Sequence, residues 1–359
     1  MKAMLLDFMP LNIPISFAFS ANWYFMQSNG KIFFTKDAYD APELKIEMDR
    51  LGARLRHEFL PEMFKDPSEA RPSVNLGIGL ATIPHFLYDA RAVYYKNQDP
   101  WTDTLFKPGE NPLEVVKALD EHQVEERFAP LAVIRDSLVE QYGAAKISIG
   151  PPDQQGPMNL FFRLCGECVF HYMVKKKAIA HELFGNITRT FINSHKYFRT
   201  LLHGMKPGQK TVFQVAECCS YLESPRLVEE FNVKYDNQCA AELGPMRLHS
   251  CGESTANLEA FSKLGNITWA EFGFGTDLKK ARRLLGPVDF SCRIAPKRLL
   301  SLDQGQIRAD VEYIIDGVKG GPSSICSVGV DHGTPRENLL AAMSRVKQYN
   351  DEKALEEGE

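Results

Sequence analysis

The chain has no excess of positive charge. Its 42 Lys and Arg are outnumbered by 46 Asp and Glu, a formal net charge of −4 over 359 residues. It therefore lacks the electrostatic footprint of a nucleic-acid binder, and no polybasic stretch offers a contact for anionic lipid. No apolar run reaches the roughly 18 residues of a membrane span. Met1 to Phe19 comes nearest, but Asp7, Pro10, Asn12 and Pro14 interrupt it, and a secretory leader needs an unbroken apolar centre. The eight cysteines, at 165, 168, 218, 219, 239, 251, 292 and 326, follow no disulfide-framework spacing. Without a leader they are expected as reduced thiols of a cytoplasmic protein, which makes metal binding the more informative reading. Low-complexity segments and short repeats are absent too. What is present, 44% hydrophobic and 25% charged residues, is ordinary globular composition. It suits an enzyme-sized chain acting on a small molecule.

Residues 1–70 read as an appendage of helices and a short hairpin. Asn29-Gly30 marks a tight turn before the strand-like Lys31-Ile-Phe-Phe34. Residues 42–64 form an amphipathic pattern, with Leu44, Met48, Leu51, Leu55 and Phe59 on one face. Residues 71–350 follow a different rhythm. Short β-like runs at 73–78, 146–150, 211–216, 245–249, 266–271, 288–292 and 324–328 alternate with helical patterns, among them 160–177, 179–204, 225–242, 254–264, 277–285 and 304–318. Ser224-Pro225 supplies an N-cap and a Pro at the first helical position. Thr334-Pro-Arg-Glu337 adds a capping box. Sustained strand–helix alternation predicts parallel strands. No GxGxxG follows the first strand, so the expected fold is α/β, a (β/α)8 TIM barrel. One strand is then hidden or irregular between 80 and 145, and 351–359 is an acidic tail.

In such a barrel the chemistry sits at the strand C-termini. Glu217, His249, Cys251, Glu271, Cys292 and Cys326 all fall there. His249-Ser-Cys251 places imidazole and thiolate, both preferred zinc donors, two positions apart. Cys326 or Cys292 can close a His/Cys/Cys set with one position open, the pattern of catalytic zinc. The competing reading is that cysteines in strands are small buried hydrophobes, and that Glu271 bonds a neighbouring backbone or an Arg. Of Cys218-Cys219, at least one reads as core. Cys165-Gly-Glu-Cys168 falls inside a helical pattern rather than at a helix N-terminus, which argues against a redox motif.

The stretch from Ala216 to Val346 resembles the uroporphyrinogen decarboxylase superfamily. The matching features are Glu217 through Ser224-Pro225, Leu248-His-Ser-Cys-Gly252, the Gly286 turn before Val288, and Thr334-Pro-Arg-Glu-Asn338, with Gly156-Pro-Met-Asn-Leu160 upstream. True decarboxylases of that superfamily carry an N-terminal arginine-rich motif for substrate carboxylates. Arg54, Arg56 and Arg71 do not recreate it, and a metal-free lyase would leave His-x-Cys idle. The other branch, the cobamide-dependent methyltransferases acting on thiols such as coenzyme M, carries His-x-Cys and a distant Cys before a Thr-Pro-x-Glu-Asn helix. The resemblance implies zinc on His249, Cys251 and Cys326, with Cys292 as the stand-in. Two cysteinates keep a bound sulfur electron-rich, which suits thiol alkylation over hydrolysis. Glu271 would occupy the open position at rest, and Glu217 is the second candidate catalytic acid. No Asp-x-His-x-x-Gly motif is found, so a separate corrinoid carrier protein would present methylcobalamin. Demethylation of a methoxy, methylthio or methylamine donor onto Co(I) corrinoid is the alternative. A homodimer is compatible with all of this.

Overall fold

A computed structural model describes residues 12–106 and 110–357. Met1 to Leu11, part of the leader-like stretch, and the last two residues of the acidic tail lie outside the described residues. No helix among the described residues is long and apolar enough to cross a membrane.

The strands are β1 (Ile15–Phe19), β2 (Ser73–Asn75), β3 (Ala92–Val93), β4 (Trp101–Thr102), β5 (Ser148–Gly150), β6 (Phe213–Ala216), β7 (Met246–Ser250), β8 (Ile267–Phe272), β9 (Asp289–Arg293) and β10 (Ser323–Val330). Six form one curled parallel sheet, a half-barrel, in the order β1-β10-β9-β8-β7-β6. β2 and β5 form a separate parallel pair, and β3 and β4 a short antiparallel one. Each of the seven β-like runs in the sequence contains a strand, and helices connect them as expected of an α/β chain.

Two expectations are corrected. The strand sought between 80 and 145 is not a parallel one. That segment holds the helices Thr82–Tyr88 and Glu121–Tyr142 and the β3–β4 pair. A parallel strand that was not expected, β1, lies in the segment expected to be an appendage. Phe17 and Phe19 alternate with Ser16 and Ala18, so one face is buried and the strand docks on β10, Ser16 beside Cys326. The expected hairpin at Asn29-Gly30 is also absent. Both residues have positive φ (52° and 77°), but they close the helix Ala21–Gln27, and Gly30 N–H donates to the Phe25 carbonyl at 2.8 Å. No strand follows.

Strand alternation then sorts the sheet's side chains. Val215, Leu248, Ala270, Phe290, Cys292 and Ile325 project to one face and join the main apolar cluster. Register pairs Ala216 with His249, His249 with Glu271, Glu271 with Ser291, and Arg293 with Cys326. These residues therefore share the opposite face.

Candidate metal centre

The register at the ends of β6 and β7 builds the site. Ala216 lies beside His249, and Glu217 N–H donates to the His249 carbonyl at 2.7 Å. Two residues further along each chain come Cys218 and Cys251, level with one another and on the His249 face. The donor atoms of Cys218, His249 and Cys251 all lie within 4.8 Å of one another, the one such group among the described residues. Below them, Ser250 and Ser254 share a hydroxyl hydrogen bond of 2.7 Å, and Ser254 N–H donates to Thr276 Oγ1 at 3.1 Å. These bonds pin the loop that carries Cys251.

Cys218 thus stands where Cys326 was expected, and the reason is strand order. β6 is the neighbour of β7, whereas β10 is three strands away, about 14 Å along the sheet. Cys326 instead accepts from Ser291 Oγ at 3.3 Å. Cys292 has the wrong parity: it faces the apolar cluster, 1% exposed, and burial pushes its thiol well up. It is the small buried hydrophobe of the competing reading.

Glu271 does not join the cysteines. Its Oε1 lies 3.1 Å from His249 Nδ1, and Arg293 Nε pairs with the same oxygen. Burial would raise this carboxyl, but His249 and Arg293 outweigh it and hold it ionised. A carboxylate on Nδ1 fixes the imidazole and leaves Nε2 for a metal, the usual support of a metal-binding histidine. Burial likewise opposes the charge on His249, yet contacts with Cys251 and Glu271 raise it to about 9. Cys251 falls to about 4, first through the neighbouring Cys218 thiol, then against burial through His249. These contacts favour the thiolate form of Cys251, the form in which cysteine binds metal, while the neighbouring Cys218 thiol is pushed up by Cys251 and by burial.

Glu217 is placed away from the mouth because its parity is opposite to that of Cys218. It is fully buried and accepts from Asn232 Nδ2 at 2.5 Å, while the same amide reaches Glu223 Oε1 at 3.3 Å. Asn232 lies in a π-helical stretch, Val228–Val233, inside an otherwise α-helical run. Asp236 completes the cluster, and burial with mutual repulsion drives Glu217 far up. These acids sit behind the site as neutral carboxyls. Glu223 is raised by burial to about 8, against the opposing Asn232 hydrogen bond. It keeps its proton in the folded chain while the unfolded chain releases it near 4.5. Stability therefore falls as pH rises from about 5 to about 8. Glu223→Gln should remove that slope, stabilising the protein by about 1–3 kcal/mol at pH 8 and little at pH 4.5. Thermal unfolding at both pH values checks this; equal shifts at both would contradict it.

Comparison with known proteins fits this architecture. The uroporphyrinogen decarboxylase (URO-D) family profile matches residues 113–349. The chain belongs to this family. The URO-D match includes the Cys218, His249 and Cys251 region and the strands β5 to β10. Two solved structures share the fold across nearly the whole chain. A methyltransferase from Methanosarcina mazei superposes with a TM-score of 0.64 at 16% identity, covering 94% of each chain. A B12-independent methionine synthase from Shewanella sp. W3-18-1, in complex with selenomethionine, gives 0.51 at 12% identity, covering 95% of this chain and 98% of that one. No curated protein matches the chain in sequence.

Cys218 was missed in the sequence because its partner strands are known only once the register is known. The one visible hint was its position just past a β-like run, as with Cys251. Arg293, which clamps Glu271, left no sequence signal beyond the end of its strand.

Proposed function

We propose that this URO-D family member is a zinc-dependent methyltransferase, moving a methyl group between a corrinoid and a thiol. The observation that carries the reading is the group Cys218, His249 and Cys251 at adjacent strand ends. Two sulfurs and one imidazole suit zinc, and three protein donors leave a fourth position open. The structural likeness to a methyltransferase from Methanosarcina mazei is in keeping with it. Bound there, zinc would lower the pKa of a substrate thiol, whose free value is about 8.5.

The chain's own residues do the rest. Cys218 and Cys251 contribute negative charge that keeps the substrate sulfur nucleophilic. Glu271, fixed by Arg293, holds His249 in the tautomer that offers Nε2. A methylated corrinoid presented at the mouth would supply the methyl group, its cobalt keeping the electron pair of the broken cobalt–carbon bond as the carbon–sulfur bond forms and the thiol proton passes to solvent. The corrinoid is brought by a separate carrier protein, in the cytoplasm. The barrel reading belongs here as well: β2 and β5 complete an eight-strand barrel with the six-stranded sheet, supported by the Ala216 N–H to Gln155 carbonyl bond of 3.1 Å at the β5–β6 seam.

Calorimetry in buffers of different ionisation enthalpy tests the thiol step. Coenzyme M and other small thiols should each bind the zinc-loaded protein with release of about one proton near pH 7. Zinc-edge absorption should gain one sulfur. Binding without proton release, or methylcobalamin left untouched by every thiol, would move demethylation of a methyl donor to first place.

A further inference from the structure

A cavity of about 410 Å3 lies between the helix Pro42–Phe59, the segment 32–34 and strand β2, a volume typical of small-molecule sites. Its lining residues all precede residue 76, so none comes from β6 or β7, which carry the metal centre. Lys45, Asp49, Gly52 and Arg56 recur at helical spacing and form one wall. Gly52 keeps the middle of that wall low, and a Cβ there would meet Tyr24 Cε1 at 3.1 Å. Phe33, Phe34 and Tyr39 add aromatic lining. The charges here are unbalanced. Lys45 Nζ donates to the carbonyls of Gly77 and Asn75 at 2.8 and 3.4 Å, and lies 4.7 Å from the Tyr39 ring centroid. Arg56 Nη1 donates to the Tyr24 hydroxyl at 2.5 Å. No carboxylate among the described residues makes an ion pair with either cation. Asp49 accepts from Ser73 N–H at 2.8 Å, and nearby Asp40 pairs with Lys36. An ammonium has three protons to donate, and only two of those on Lys45 have acceptors. Burial lowers Lys45 to about 8, against the opposing pull of Asp40. Its charge is therefore held at a cost, although a neutral amide would tie down the end of β2 without one.

We propose that this cavity is a second small-molecule site, separate from the metal centre, and that it binds an aromatic carboxylate. The ring lies among Phe33, Phe34 and Tyr39, and the carboxylate takes the remaining proton of Lys45. Arg56, at the far end of the same helix face, adds positive potential while staying engaged by Tyr24. The ligand class follows from the lining. Aromatic walls favour a flat apolar body, and one ammonium with one proton to spare suits a single negative charge. A phosphate, with more charge and more oxygens, would ask for donors that the apolar walls do not supply.

Calorimetric titration of the full chain tests this with three probes: 2-naphthoate, neutral 2-naphthalenemethanol and acetate. 2-Naphthoate should bind at least about tenfold tighter than the alcohol, which has the same rings and no charge. Acetate, which has the charge and no rings, should bind at least about a hundredfold more weakly than 2-naphthoate. Lys45→Met should bring 2-naphthoate down to the affinity of the alcohol and leave the alcohol unchanged. Lys45→Arg, which keeps the charge, should retain part of the preference and serves if the methionine variant fails to fold. Gly52→Leu, which fills the cavity from its wall, should weaken both naphthyl probes by about tenfold or more. Metal content should be the same in all these variants, and 2-naphthoate should bind Cys251→Ala as it binds the unaltered protein. Equal affinity for acid and alcohol overturns the proposal, as does a preference that survives in Lys45→Met. Loss of 2-naphthoate binding in Cys251→Ala overturns it too, by placing the carboxylate on the metal centre.

Discussion

Replacing Cys251 with alanine should strip the protein of the zinc proposed to bind at Cys218, His249 and Cys251. Each of the three donors supplies a large share of the affinity, so loss of one thiolate weakens binding by roughly a hundredfold or more. The sharper comparison is among the other cysteines. Cys218→Ala should lose zinc to the same degree, because its sulfur lies within 4.8 Å of the His249 and Cys251 donors. Cys326→Ala should keep zinc, since its thiol is engaged by Ser291. Cys292→Ala should also keep zinc and lose about 1 kcal/mol of stability, as a small buried side chain does. Metal analysis after gel filtration, with chelator competition on each variant, reads all four. Zinc retained in Cys218→Ala but lost in Cys326→Ala would return the third ligand to β10.

That comparison marks where sequence reading stopped. The parallel strands from β2 onward were legible because buried strands read as short apolar runs between helix signals. β1 was not. ISFAF is such a run, but it sits beside Pro14 in a stretch whose apolar character pointed first to a leader. The Asn29-Gly30 turn was legible as a turn, yet its role depends on whether a helix or a strand precedes it, and the pair suits both. His249 and Cys251 were legible because they are local to one strand end. Cys218, Glu271 and Arg293 meet them only through register, and register is set by long-range pairing that no spacing reveals. The same holds for Glu217. Its position past a strand was read correctly, but its parity turns it from the mouth into the carboxyl cluster with Asn232, Glu223 and Asp236.

Gly273→Ala should damage both stability and zinc binding, although the change is a single methyl group. Gly273 follows β8, and its N–H donates to the carbonyls of Ser250 and Gly252 at 3.0 and 3.2 Å. A Cβ there would press on the carbonyl oxygens of Cys251 and Gly252 and lie 2.5 Å from the Gly252 carbonyl carbon. These are backbone atoms, so no side-chain rotation relieves the clash, and the loop bearing Cys251 must move. Overpacking of this kind costs about 1–3 kcal/mol. Displacing a ligand loop by a few tenths of an ångström should weaken zinc by about 10–100-fold, as loss of outer-shell support does. Gly185→Ala is the internal control. It lies within the helix Lys177–His203 with nothing within 4 Å of the added Cβ. There the methyl should stabilise by about 0.5–1 kcal/mol through helix propensity alone, with zinc unchanged. Thermal unfolding with and without chelator separates the two effects. If the Gly273→Ala loss is the same with zinc removed as with zinc bound, the strain is confined to the fold. A larger loss in the zinc-loaded protein places it on the Cys251 loop, the outcome expected from the direct contact of Gly273 with that loop.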